Sequence, residues 1–174
     1  MKRIMIVGPC GSGKSTLAVR LGEQLSIPSF HLDRMAWRSG WVEREPEEWL
    51  PELEAVVARD TWIIDGNDSR TMELRLARAD TVVSLDFHPA RCVWRVLKRI
   101  AAHRGRTRAD MAAGCPERLD LSFLLYVATW NRGPRRKNET VLKQAADRMV
   151  RLRSPRELDA WLETLERRPV RGLP

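Results

Sequence analysis

Residues 8–16, Gly8-Pro9-Cys10-Gly11-Ser12-Gly13-Lys14-Ser15-Thr16, constrain this chain more than any other stretch. They fit the pattern G-x-x-x-x-G-K-[ST] at every fixed position, and their setting is the one the pattern needs. Arg3-Ile4-Met5-Ile6-Val7 ahead of them is a short apolar run that reads as a buried strand. Leu17, Ala18, Leu21 and Leu25 behind them recur at helical spacing. Glycine lets such a loop curl until successive backbone N–H groups point inward at phosphate oxygens. The helix that follows adds the positive end of its dipole. The expected phosphate-binding residues are Gly8, Gly11, Ser12, Gly13, Lys14, Ser15 and Thr16. Lys14 is placed to reach the β- and γ-phosphates of a nucleotide, and the Ser15 hydroxyl to hold Mg²⁺.

A chain of 174 residues suits a single domain spanning residues 1–174, with a sizeable core. No apolar run approaches a membrane span. Strand and loop follow directly on Met1-Lys2, so the sequence reads as one without a signal peptide, and a cytoplasmic setting is expected. Cys10, Cys92 and Cys115 lack metal-ligand spacing and are expected as free thiols. The formal net charge is +8. Arg91, Arg95, Lys98, Arg99, Arg104, Arg106 and Arg108 follow one another without an acidic residue between them, and Arg132, Arg135, Arg136 and Lys137 form a second cluster. Such patches suit nucleotide phosphates and also a nucleic-acid backbone.

Apolar runs alternate with helical patterns along the chain. Strands are expected at 3–7, 29–33, 61–66, 81–87 and 148–152, and helices at 14–25, 47–59, 69–78, 89–103 and 117–131. Pro51 sits inside the 47–59 pattern, so that helix either has an irregular first turn or starts nearer Pro51. Residues 34–45 and 104–116 read as loops, the second one mobile. Asn138 is an expected cap for a short helix to about Ala146, and Ser154-Pro155-Arg156-Glu157 is a capping box. The tail from Arg167 is expected to fray. Alternation of this kind gives a parallel sheet with helices on both faces, whose ligands sit at the carboxyl ends of the strands. That places Asp33, Asp65 and Asp86 at the same edge as the phosphate loop.

Asp65 ends an apolar strand and is followed by Gly66, which suits a second metal-organising carboxylate beside Ser15. Asp86 has the same setting but reads better as a turn or cap residue. Three roles are open to Asp33: a base for a substrate hydroxyl, a ribose ligand, or a strand terminus. Arg70 is placed to clamp an acceptor anion. Among Arg104, Arg106, Arg108, Arg132, Arg135 and Arg136, some are expected to close over the transferring phosphoryl group, and Arg104, Arg132 and Arg136 are the named candidates. Trp37 and Trp41 could wall a ring, whereas Trp49 reads as core.

With these residues the chain resembles the adenylate-kinase-related P-loop kinases. It is similar in particular to the bacterial group called "DNA topology modulation protein" (FlaR-like). The carriers are His31-Leu32-Asp33, Ile64-Asp65-Gly66-Asn67 and Gly114-Cys115-Pro116-Glu117-Arg118 together with the phosphate loop. The resemblance implies a three-layer P-loop NTPase fold whose five-stranded parallel sheet has the order 2-3-1-4-5. It further implies a substrate-binding insertion at 34–60 and a lid at 104–137. Nucleotide kinases of this kind carry Asp-Gly-[Phe/Tyr]-Pro-Arg after the third strand, whereas this chain has Asp65-Gly66-Asn67-Asp68-Ser69-Arg70. The expected activity is phosphoryl transfer from Mg-ATP to a small-molecule or nucleotide acceptor. The alternative is an ATP-binding regulator or DNA-topology modulator with a basic nucleic-acid surface and little kinase activity. No helix-turn-helix, zinc finger or single-strand aromatic platform supports it.

Overall fold

The apolar run before the phosphate loop forms β1 (Arg3–Val7), and its central place organises the sheet. In the computed structural model, which describes residues 1–167, β1 is flanked on one side by β5 (Trp62–Asp65) and on the other by β6 (Thr81–Leu85). Outside these lie β2 (Ser29–His31), paired with β5, and β7 (Met149–Leu152), paired with β6. All four pairings are parallel. Counted among the strands of this sheet alone, the order is 2-3-1-4-5, as expected. The chain therefore has the α/β fold of the P-loop kinases.

Alternation along β1 sends side chains to two separate cores. Met5 and Val7 join the core built with α3 (Pro46–Val57) and α4 (Met72–Arg78), around Trp49, Leu53, Met72 and Leu76. Ile4 and Ile6 join the opposite core, built with α1 (Lys14–Leu25), α5 (Pro89–His103) and α8 (Pro155–Glu166), around Leu17, Leu21, Cys92 and Leu162. Trp49 is fully buried, as expected. α8 opens on the capping box: Ser154 Oγ accepts the Glu157 N–H at 3.2 Å. The Glu157 carboxylate reaches one residue further back than the motif suggests, to the Arg153 N–H at 2.9 Å.

Several expectations need correcting. β2 stops at His31, and Asp33 lies not at a strand end but in the first turn of a short helix, α2 (Leu32–Ala36). Residues 34–45 are not a plain loop: β3 (Trp37–Arg38) and β4 (Val42–Glu43) make a small antiparallel hairpin. α3 starts at Pro46, in the first turn where proline is tolerated, and runs on through Pro51. Residues 104–116 are fastened rather than loose, with Gly105 donating to the Glu117 carbonyl and Glu117 back to the Arg106 carbonyl. The expected helix at 117–131 shrinks to α6 (Leu121–Ala128), because Asp120 caps it by accepting the Phe123 N–H. Leu119 and Tyr126 are exposed. Asn138 is not a cap; it is buried in the middle of α7 (Pro134–Leu142), which a 3-10 turn, Lys143–Arg148, joins to β7. Apart from Arg167 itself, the tail expected to fray lies outside the described residues.

The start of β1 is tied to the start of β6 by Asp80, whose carboxylate accepts the Lys2 N–H at 2.8 Å, the Arg3 N–H at 3.0 Å and the Thr81 hydroxyl at 2.9 Å. Burial pushes this carboxyl up, but the three hydrogen bonds outweigh it and hold the group below its ordinary 3.8. A depressed carboxyl stabilises the fold fully above its unfolded value and loses that contribution as pH falls through the folded one. Asp80→Ala is thus expected to cost about 1 kcal/mol at neutral pH. Thermal melts should show the gap to the parent protein closing as the pH is lowered below about 4.

Candidate active site

The phosphate loop bends back on itself, with the Ser12 N–H donating to the Pro9 carbonyl at 3.1 Å. Gly8 has φ +142°, and a Cβ there would lie 2.4 Å from the Leu85 carbonyl oxygen, so the first glycine is required by backbone shape and by the close approach of β6. The loop is braced from β5 by Asn67, whose side chain accepts the Gly8 N–H at 3.0 Å and donates to the Gly8 carbonyl at 2.5 Å. Lys14 Nζ donates to the Pro9 carbonyl at 3.1 Å. Ser12 Oγ is buried in the loop with no hydrogen-bond partner. An orphaned buried hydroxyl inside a ring of N–H groups fits a phosphate oxygen.

Three expected residues converge beside the loop. Asp65, only 4% exposed, accepts the Ser15 hydroxyl at 3.0 Å on Oδ2 and pairs through Oδ1 with His31 Nδ1. Burial works against a proton on His31, but the Asp65 carboxylate wins and raises the imidazole above its ordinary 6.5. Asp33 is exposed and lines both cavities described below. Desolvation and the nearby Asp65 charge lift its carboxyl above 3.8, against the pull of Lys14. A carboxyl tuned upward beside a cavity suits proton transfer. Asp110 comes from the 104–116 segment. Burial opposes its ionisation, but the Ser15 hydroxyl and Arg108 hold its carboxyl below 3.8.

Two cavities meet here. The larger, about 960 Å³, runs along the phosphate loop past Ser15, Thr16, His31 and Asp65. The smaller, about 440 Å³, is walled by Trp37, Trp41, Phe123 and Tyr126. Cys10, Lys14, Asp33, Arg99 and Arg108 line both, so Lys14 and Asp33 stand at the junction. The hydroxyl of Ser15 and the carboxylate of Asp65 are hard oxygen donors of the kind Mg²⁺ takes alongside water and phosphate oxygens. Among the described residues no three His, Cys, Asp or Glu side chains form a metal cage of their own.

The arginines are placed differently from one another. Arg70 lines the smaller cavity, but its guanidinium is taken up by Asp68 at 2.7 Å and Glu43 at 2.8 Å. Arg104, Arg132 and Arg136 are exposed and line neither cavity. Asp86 pairs with Arg135 at 2.6 Å and Arg151 at 3.4 Å. The arginines at the junction are Arg99 and Arg108. The buried Glu117 lies between them, 3.0 Å from Arg99 Nε and 2.6 Å from Arg108 Nε, and Arg108 also reaches Asp110 at 2.7 Å. Arg99 and Glu117 were missed in the sequence, although one lies in the basic run and the other in the Gly-Cys-Pro-Glu-Arg segment.

The β3–β4 hairpin grips the 104–118 segment. Gly40 N–H donates to the Gly114 carbonyl at 2.8 Å, Trp41 Nε1 to the Pro116 carbonyl at 2.9 Å, and Cys115 Sγ to the Arg38 carbonyl at 3.0 Å. Met111, Ala112 and Cys115 pack on Trp37 and Trp41. Those rings meet edge to face at 5.8 Å, and the Arg118 guanidinium lies 5.6 Å over Trp41. Trp41 holds a left-handed φ of +63°, which a bulky residue adopts only when its surroundings impose it.

Arg75 is a further residue that the sequence did not disclose. It is fully buried and donates to the carbonyls of Thr71 at 3.3 Å, Gly66 at 3.1 Å and Asp68 at 3.0 Å. Among the described residues it faces no carboxylate at ion-pair distance, and burial lowers its guanidinium to about 10. Its periodicity in α4 is that of a core position, which pattern alone assigns to apolar residues.

No protein-family model matches this sequence, and no curated protein matches it. Solved structures do. Shikimate kinase from Acinetobacter baumannii in complex with shikimate superposes with a TM-score of 0.58 at 15% identity, covering 95% of this chain and 92% of that one. Shikimate kinase from Bacteroides thetaiotaomicron gives 0.52 at 16% identity, with coverage of 95% and 96%. At that identity the likeness is one of fold.

Arg75 fixes the geometry of the segment that carries Asn67 and Asp68. Arg75→Met, which keeps bulk but strands three carbonyls, is expected to destabilise the protein by about 3 kcal/mol in urea unfolding. Arg78→Met, on the exposed end of the same helix, should cost under about 0.5 kcal/mol.

Proposed function

We propose that the protein is a Mg-ATP-dependent phosphotransferase acting on a small acceptor. The observation that carries this reading is the junction of the two cavities at Lys14 and Asp33. The nucleotide phosphates lie on the phosphate loop, where Gly11, Ser12, Gly13, Lys14 and Thr16 supply backbone and side-chain donors. Ser15 and Asp65 hold Mg²⁺, which when bound offsets charge on the β- and γ-phosphates. Arg99 and Arg108 face the same junction and are nearer candidates for neutralising the transferring group than Arg104, Arg132 or Arg136. The acceptor occupies the smaller cavity, formed by the 34–60 insertion and the 104–137 lid. Asp33 takes the proton from an acceptor hydroxyl.

The shikimate kinases that share the fold are kinases by name, which supports this reading without identifying the acceptor. Kinship with the "DNA topology modulation protein" group rests on the three characteristic segments of the sequence alone. Asp33, Asn67 and Glu117, one from each of the three characteristic segments, line the smaller cavity. An effect on DNA finds less support, since Arg99 and Arg108 of the basic run turn inward to Glu117. Among the described residues no helix is long and apolar enough to cross a membrane.

The test is ADP release from Mg-ATP with candidate acceptors. Lys14→Ala should abolish any stimulated release. Asp33→Asn should lower kcat by about 100-fold or more while leaving ATP affinity within about twofold. A loss of less than about tenfold for Asp33→Asn would remove the base from the mechanism.

A further inference from the structure

The charges around the smaller cavity are segregated. At the end shared with the nucleotide cavity stand Lys14, Arg99 and Arg108. Glu117 is taken up between Arg99 and Arg108 at that end, and among the other side chains lining the smaller cavity alone, Glu43, Asp68 and Asp120 outnumber Arg70 and Arg118. This local acidity occurs in a chain whose net charge is +8. Neither of those two guanidiniums is offered to a ligand anion. Arg70 is held by Asp68 and Glu43 together, and Arg118, which makes no ion pair among the described residues, lies over the Trp41 ring. The rest of the wall is aromatic. Trp37 and Trp41 stand edge to face on one element and Phe123 and Tyr126 come from another, and a volume of about 440 Å³ is right for a ring system of one or two cycles.

We propose that the acceptor is an uncharged, ring-bearing alcohol, and that the carboxylates of the cavity wall exclude phosphorylated and carboxylated acceptors. This rests on the kinase reading above and deepens it. An anion at the far end would meet three carboxylates, Glu43, Asp68 and Asp120, against two guanidiniums, Arg70 already shared between Asp68 and Glu43 and Arg118 seated over Trp41, and the excess of like charge costs affinity. A neutral ring can lie against the tryptophans while its hydroxyl reaches Asp33. In the transfer, the acceptor oxygen bonds to the γ-phosphorus, the bond from that phosphorus to the β,γ-bridging oxygen breaks, the hydroxyl proton passes to Asp33, and ADP leaves with the bond pair. Nucleosides and cyclic polyols share this chemistry, and the experiment separates them.

Mg-ATP turnover is measured with four acceptor sets: nucleosides, neutral cyclic polyols, nucleoside monophosphates, and shikimate as a cyclic hydroxy-carboxylate. Stimulation by one neutral set of about tenfold or more over either anionic set is the expected result. Glu43→Gln, at an exposed position that leaves the core untouched, should narrow that preference by about fivefold by releasing Arg70 from one partner, with Tm unchanged. Greater stimulation by an anionic set overturns the inference and leaves the kinase reading standing. No stimulation by any set, with Lys14-dependent ATP binding intact, overturns the kinase reading and this inference with it.

Discussion

The site depends on a seam between the carboxyl ends of β1 and β5. Parallel pairing brings Ile6 level with Asp65. From there the chain after each strand turns toward the other: Gly8 and Asn67 exchange two hydrogen bonds, and Ser15 donates to Asp65. A phosphate loop is a string of N–H groups without a side-chain core of its own, so its shape must be imposed from outside. Here it is imposed by an asparagine and a carboxylate from the neighbouring strand, and by the Leu85 carbonyl, which leaves no room for a Cβ at Gly8. Arg75 carries the constraint one step further back. It holds the carbonyls of the segment that presents Asn67, from a position with no water to compete.

Burial also sets the chemistry of the acidic residues. Asp65 is fully engaged, with the Ser15 hydroxyl on one oxygen and the His31 imidazole on the other. Asp33 has no such partners, and desolvation raises its carboxyl. Two carboxyl groups close together thus stand in unlike environments, one bonded on both oxygens and the other open to the cavities.

Much of this was legible in the sequence. Alternating apolar runs and helical stripes carried the parallel α/β class, the resemblance carried the strand order, and Asp65 and Asp33 were placed beside the phosphate loop because strand ends in such sheets point to one edge. What was not legible depends on distance in the chain. Arg99 and Glu117 become partners only when α5 and the segment after it fold back on one another. Arg75 looks like a surface arginine until its carbonyl partners close around it. Arg70 was read as free because the hairpin that delivers Glu43 is too short, at two residues a strand, to leave a periodic signal. The same brevity hid Asp33's true position in a helical turn.

The grip of the β3–β4 hairpin on residues 114–118 has a consequence of its own. The hairpin lines one cavity and residues 107–118 line parts of both, so the two covers cannot open independently while Trp41 and Gly40 keep their bonds. If a nucleotide and an acceptor fill the two cavities as proposed above, whatever factor one lends the other's binding is returned equally.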